Sequence, residues 1–147
     1  MGSRKGDDSW DAMAASMWLD EYKAQDPTKV YVGADLSGRK FAGADLFGYD
    51  FSGAILFGAN FRHANLMSAN LSGADLRDAN LSFANLSYAN LSRANLTGAN
   101  LSNAKIGNVN LSYADLSHAN MNGAAGTNVK VTGANLTGTR GFERSTS

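Results

Sequence analysis

The side chains able to do acid–base, nucleophilic or metal chemistry are few. Histidine occurs only at His63 and His118, glutamate only at Glu21 and Glu143, and cysteine is absent. Disulfides and thiolate chemistry are therefore excluded, and the redox compartment stays open. Aspartates recur at Asp35, Asp45, Asp50, Asp75 and Asp115, always at multiples of five along the chain. Asn-x-Ser/Thr triplets start at Asn70, Asn80, Asn85, Asn90, Asn95, Asn100, Asn110 and Asn135, the pattern of a glycan acceptor. Large outward candidates, Phe47, Phe57, Met67, Phe83, Tyr88 and Tyr113, stand among Ser, Thr and Gly. Whether any of these groups meet depends on the elements that carry them.

Those elements follow a period of five. With the middle of each pentapeptide as the centre, centres run from Leu36 to Leu136 and make 21 units; 14 centres are Leu and three are Phe, at Phe41, Phe51 and Phe61. The residue two before the centre is Ala in 17 units, and the one before the centre is Asn or Asp in 16. Five matches neither the helical period of 3.6 nor the strand period of two. Within a unit, however, Ala and the centre are two apart and face one side of an extended segment. The chain must then turn over the next two positions, the first mostly Ser or Thr and the second Gly in ten units. Each pentapeptide is one side of a coil, and such repetition marks a solenoid. The alternation of Phe centres with Leu46, Leu56 and Leu66 predicts an even number of sides.

The pattern Ala-(Asn/Asp)-Leu-(Ser/Thr)-x, as in Ala94-Asn95-Leu96-Thr97-Gly98 and Ala99-Asn100-Leu101-Ser102-Asn103, resembles the pentapeptide repeat family. The resemblance implies an all-β solenoid, a right-handed quadrilateral β-helix with four pentapeptides per coil. Twenty-one units then make about five coils, roughly 25 Å long at ~4.8 Å per strand spacing.

Three regions follow. Residues 1–33 are an N-terminal segment in which Trp10, Met13, Ala14, Met17, Trp18 and Tyr22 fall on one face of an amphipathic helix, stopped at Asp26-Pro27. This helix is expected to cap the first coil through Trp10 and Trp18, since an open coil end exposes unpaired backbone groups. Residues 34–138 are the repeat body, and 139–147 a tail in which Phe142, one residue out of register, is expected to fold over the last coil. Gly126 replaces an inward Leu, so a bulge or loosened wall is expected near Ala124 to Asn128.

On this frame the candidate chemistry thins out. At 55 residues apart, the histidines lie nearly three coils apart, on the order of 13 Å along the axis, too far to share one metal. The aspartates occupy a repeat position usually held by Asn, and the glycan triplets are generated by the repeat itself, so structural roles are expected for both. No catalytic, cofactor-binding or metal site is predicted. The net charge is zero, with 13 acidic and 13 basic residues, so no charge excess recruits nucleic acid or a membrane surface. No apolar run approaches the roughly 20 residues of a membrane span, and no secretory leader pattern opens the chain; both favour a cytoplasmic setting.

The expected function is that of a non-enzymatic scaffold or protein-interaction module. Its candidate partner patch is Phe47, Met67, Phe83 and Tyr88, and its assembly that of a monomer or an end-to-end dimer. An alternative comes with the resemblance: the best-understood branch of the family imitates DNA and binds type II topoisomerases such as gyrase. Imitation of DNA needs an acidic surface, yet residues 34–138 carry six acidic side chains against seven basic ones.

Overall fold

A computed structural model describes residues 31–142 as one uninterrupted solenoid. Every backbone bridge is parallel and joins residues 20 apart, from Asp35 with Ile55 to Asn120 with Arg140. Four pentapeptides therefore complete one turn. The first wall stacks Leu36, Leu56, Leu76, Leu96, Leu116 and Leu136; the second begins with Phe41 and Phe61, the third with Leu46 and Leu66, the fourth with Phe51 and Leu71. The predicted N-terminal helix, with Trp10 and Trp18, lies outside the described residues.

Each unit satisfies its five backbone N–H groups in a fixed way. In the unit centred on Leu66, the Leu66 N–H donates to Asn85 of the next coil (2.8 Å) and the Ser68 N–H to Ser87 (2.9 Å), while the Asn65 N–H donates back to Ala44 (2.9 Å). The Ala69 N–H closes the corner onto the Leu66 carbonyl (3.0 Å). The remaining N–H, of Met67, donates to the Asn65 side-chain oxygen (3.1 Å). With the second corner residue at φ near +60°, the corner has the type II turn sense. This explains why Asn or Asp precedes the centre: its side chain is the acceptor that the first corner N–H would otherwise lack.

Ala and the centre both point inward and fill the lumen; Ala44 to Met121 are almost completely buried. Eleven of the left-handed corner residues are not glycine, among them His63, Phe83, Tyr88 and Tyr113, and none is β-branched. That conformation costs an L-residue roughly 1–2 kcal/mol, so side chains here are held by a backbone that the ladders over-determine.

The pattern also reaches upstream of Ala34. Tyr31 occupies a centre, donates to Asp50 (3.3 Å) and stacks on Phe51 with ring centroids 5.0 Å apart. On the opposite wall Phe41 stacks on Phe61 at 5.0 Å, and Phe51 meets Phe61 edge-on at 6.1 Å across the lumen.

At the other end the expected bulge is absent. Bridges from Lys105 to Ala125 and from Asn110 to Lys130 keep the spacing of 20, and Asn128 keeps its left-handed corner at φ 59°. The departure is confined to the corner itself, where 127–128 form a bend in place of the hydrogen-bonded turn of neighbouring units. The backbone here runs close to the coil beneath. A Cβ on Gly126 would stand 2.6 Å from the Ile106 carbonyl carbon and 2.7 Å from the Gly107 Cα. Gly126 thus permits a close approach of two backbones instead of leaving a gap. Phe142 is half-buried and packs against the core.

Candidate functional site

Four walls with identical backbones differ only in what projects outward, so any recognition must come from outward side chains. The four candidates divide between two corners. Phe47, Met67 and Tyr88 lie on successive coils along the corner between the third and fourth walls, and Phe83 lies on the corner between the second and third walls. Phe47 and Tyr88 are 55% and 62% exposed, Phe83 is 43% exposed, and Met67 is half-buried. Unlike Phe83, neither Phe47 nor Tyr88 has a ring or cation partner.

Phe83 is held in place. Its ring stacks on His63 at 4.9 Å, and the Arg62 guanidinium carbon lies 4.8 Å from the ring centroid. Arg62 also donates to the Ser82 hydroxyl (3.1 Å), so the cation and the ring are fixed together. Register alone pairs His63 with Phe83; the diagonal reach of Arg62 onto that ring needs side-chain geometry. Beside the patch, the Asn65 amide donates to the Asp45 carboxylate (3.2 Å) and forms a polar margin.

Elsewhere aromatics are paired with cations. Arg77 lies 5.3 Å over Phe57 while forming two hydrogen bonds to Asp75 (2.9 and 2.8 Å), and Arg93 lies 4.9 Å over Tyr113. Ile55 and Val32 are exposed apolar residues that the sequence reading passed over. Ile55 is detectable as a branched apolar residue in a position given to Asn or Asp in 16 of 21 units.

The titratable groups serve structure. The hydrogen bond from Arg77 holds the Asp75 carboxyl below its ordinary range. The Ser117 hydroxyl and N–H do the same for Asp115, with smaller contributions from Thr97 and His118. His63 stacks on Phe83 while the His118 ring lies over Gly138, so the fold does not bring the histidines together. Among the described residues no group of three or more His, Cys, Asp or Glu is placed to hold a metal ion, and no helix is long and apolar enough to cross a membrane. All eight asparagines of the glycan-like triplets accept the backbone N–H two residues on, at 3.0–3.1 Å. In all eight, the side-chain oxygen is part of the corner's hydrogen bonding.

The family model for pentapeptide repeats matches this chain in overlapping stretches at residues 32–73, 44–82, 74–112 and 106–140. The chain belongs to the pentapeptide repeat family. Among solved structures, this pentapeptide repeat protein is similar to Rfr23 from the cyanobacterium Cyanothece 51142, with 27% identity over 87% of this chain and 94% of that one and a TM-score of 0.59. It is also similar to a pentapeptide repeat protein of the Arabidopsis thaliana thylakoid lumen, with 38% identity over 65% of this chain and 70% of that one (TM-score 0.42). A third is HetL from Nostoc sp. strain PCC 7120, a protein involved in heterocyst differentiation regulation, with 32% identity, 76% of this chain, 62% of that one and a TM-score of 0.38. No protein of curated function matches the sequence. The family fold is the right-handed quadrilateral β-helix, in agreement with the four-unit coil.

Proposed function

We propose that this pentapeptide repeat protein is a non-enzymatic, rigid scaffold whose third wall binds the apolar ridge of a protein partner through Phe47, Met67, Phe83 and Tyr88. The observation that supports the reading is the run of Phe47, Met67 and Tyr88 along one edge of the third wall, with Phe83 on its other edge, among neighbours that are polar or small. Exposed aromatics grouped on a rigid support lose little conformational entropy on binding, and a contiguous apolar patch rimmed by polar residues is the usual mark of an interaction surface. Phe83, clamped between His63 and Arg62, is already in one position.

The test is affinity capture from the native host with the wild-type chain and with a variant carrying Ser at all four positions. Loss of the captured partner with unchanged thermal unfolding supports the patch, and an unchanged set of partners refutes it. The topoisomerase alternative is separated by a gyrase supercoiling assay. The near balance of charge in the solenoid predicts no effect at micromolar protein, and inhibition or protection there would favour DNA imitation.

A further inference from the structure

The exposed corner aromatics differ in what covers their rings. Phe57 has the Arg77 guanidinium 5.3 Å from its centroid, Tyr113 has Arg93 at 4.9 Å, and Phe83 has Arg62 at 4.8 Å together with the stacked His63. On each of these rings the negative face is matched by a cation of the same chain. Tyr88 and Phe47, on the corner between the third and fourth walls, have no such cation.

The register shows what stands there instead. Arg77 lies 20 residues after Phe57, and the residue 20 after Phe47 is Met67. Arg62 lies 21 residues before Phe83, and the residue 21 before Tyr88 is again Met67. One methionine thus holds both places that arginine fills elsewhere, while Ser68 takes the place of His63. The backbone setting is the same. The N–H groups of Arg62, Met67 and Arg77 each donate to the side-chain oxygen two residues back, at 3.0, 3.1 and 3.2 Å. Phe83 and Tyr88 share the left-handed conformation, at φ 60° and 63°, and Tyr88 sits well inside the solenoid, between Ser68 and Asn108 in its column.

The charges beside this edge have the sign that receives a cation. Asp45 on the third wall and Asp50 on the fourth flank Phe47. They accept hydrogen bonds from the Phe47 N–H (3.3 Å), the Asn65 amide (3.2 Å) and the Ser52 N–H (2.9 Å), and neither pairs with a cation. The next charged residues on the outward faces of these two walls are Lys105 and Lys130, one and two coils past Tyr88, and neither covers a ring.

We infer that the partner segment docked on this patch carries arginine. Its guanidinium groups take the places over Tyr88 and Phe47 that Arg62 and Arg77 take over Phe83 and Phe57, with Asp45 and Asp50 as counter-charges. Arginine suits the place because its planar group stacks on aromatic faces. This rests on the patch reading above and names the chemistry of its partner.

The test uses the full-length chain, carbon-13-labelled in its aromatic rings and methionine methyls. The probes are a capped ten-residue peptide alternating Arg and Leu and its citrulline-Leu counterpart, which keeps the shape and loses the charge. The Arg-Leu peptide should shift the rings of Tyr88 and Phe47 and the methyl of Met67, and leave Phe57 and Tyr113, which already carry cations. Two exposed cation–π contacts correspond to an affinity about tenfold lower for the citrulline peptide. Met67→Arg supplies the chain's own cation and should lower affinity for the Arg-Leu peptide to the same extent, whereas Met67→Leu should not. Equal affinity of the two peptides for the wild-type chain overturns the inference and leaves the apolar patch standing, and this comparison decides even where Met67→Arg is destabilised. Undiminished binding by a folded Met67→Arg chain overturns it as well. If neither peptide shifts these rings and the four-serine variant captures the same partners from the host, the patch itself falls.

Discussion

The first and last described coils are built from the same backbone unit, yet their inward residues are buried to different degrees. In the first, aromatic centres stack in two columns, Tyr31 on Phe51 and Phe41 on Phe61, and these columns meet across the lumen. The centres there, Tyr31, Leu36, Phe41, Leu46 and Phe51, are all buried. In the last, Gly126, Val131 and Leu136 take the corresponding places, and the latter two remain half-exposed. The repeat therefore sets the ladder of hydrogen bonds everywhere, while inward volume decides how firmly each coil is held. In a solenoid, where each coil touches only its neighbours, stability is roughly a sum of such local terms.

Truncation is the strongest way to break this contrast. Phe51→Ala removes a ring that touches Tyr31, Tyr49, Phe41 and Phe61 and should cost about 3–5 kcal/mol, as large-to-small changes in tight cores do. Leu136→Ala, in the half-open coil, should cost about 1 kcal/mol, because less apolar area leaves water there. Urea unfolding measures both, and equal losses would show that the two ends are equally packed.

Gly126 sharpens the comparison further. If the last coil were merely underfilled, Gly126→Leu would restore the repeat and stabilise it. The close approach to Ile106 and Gly107 predicts the opposite, because the clashing atoms are backbone and cannot swing aside. A loss of about 1–3 kcal/mol is expected, typical of overpacking, and a raised unfolding midpoint would sink this account.

The case of Gly126 also shows what sequence reading could and could not reach. The period of five, the inward Ala and Leu and the corner positions follow from side-chain spacing alone, and the ladders obey them from Tyr31 to Arg140. The pairs Phe57 with Arg77, His63 with Phe83 and Arg93 with Tyr113 follow once a coil is known to hold 20 residues. Gly126 was read as a missing side chain, because the backbone path that brings it onto Gly107 leaves no trace in a pattern of residue types. The diagonal contact of Arg62 with Phe83 was hidden for a related reason: a long side chain can leave its own column.

The smallest effect concerns charge next to the last described coil. Asp115 lies one coil below the rim and accepts hydrogen bonds from the Ser117 N–H (3.0 Å) and hydroxyl (2.6 Å). These bonds favour the charged carboxylate, so its folded pKa lies below the ordinary value. A depressed folded pKa means that the contribution is fully present above the unfolded pKa of about 3.9 and is lost as pH falls through the lower, folded value. The coils around Asp115 should therefore loosen as the pH falls. For a partly exposed carboxylate the size is about 0.5 kcal/mol. Asp115→Asn keeps an acceptor for the Ser117 N–H, as Asn95 does for Thr97 (3.1 Å), but removes the titration. Amide exchange from pH 5 to pH 3, corrected for intrinsic rates, should thus show opening of residues 116–140 in the wild type that the variant lacks. Equal opening in both would assign the acid sensitivity of this end to groups other than Asp115.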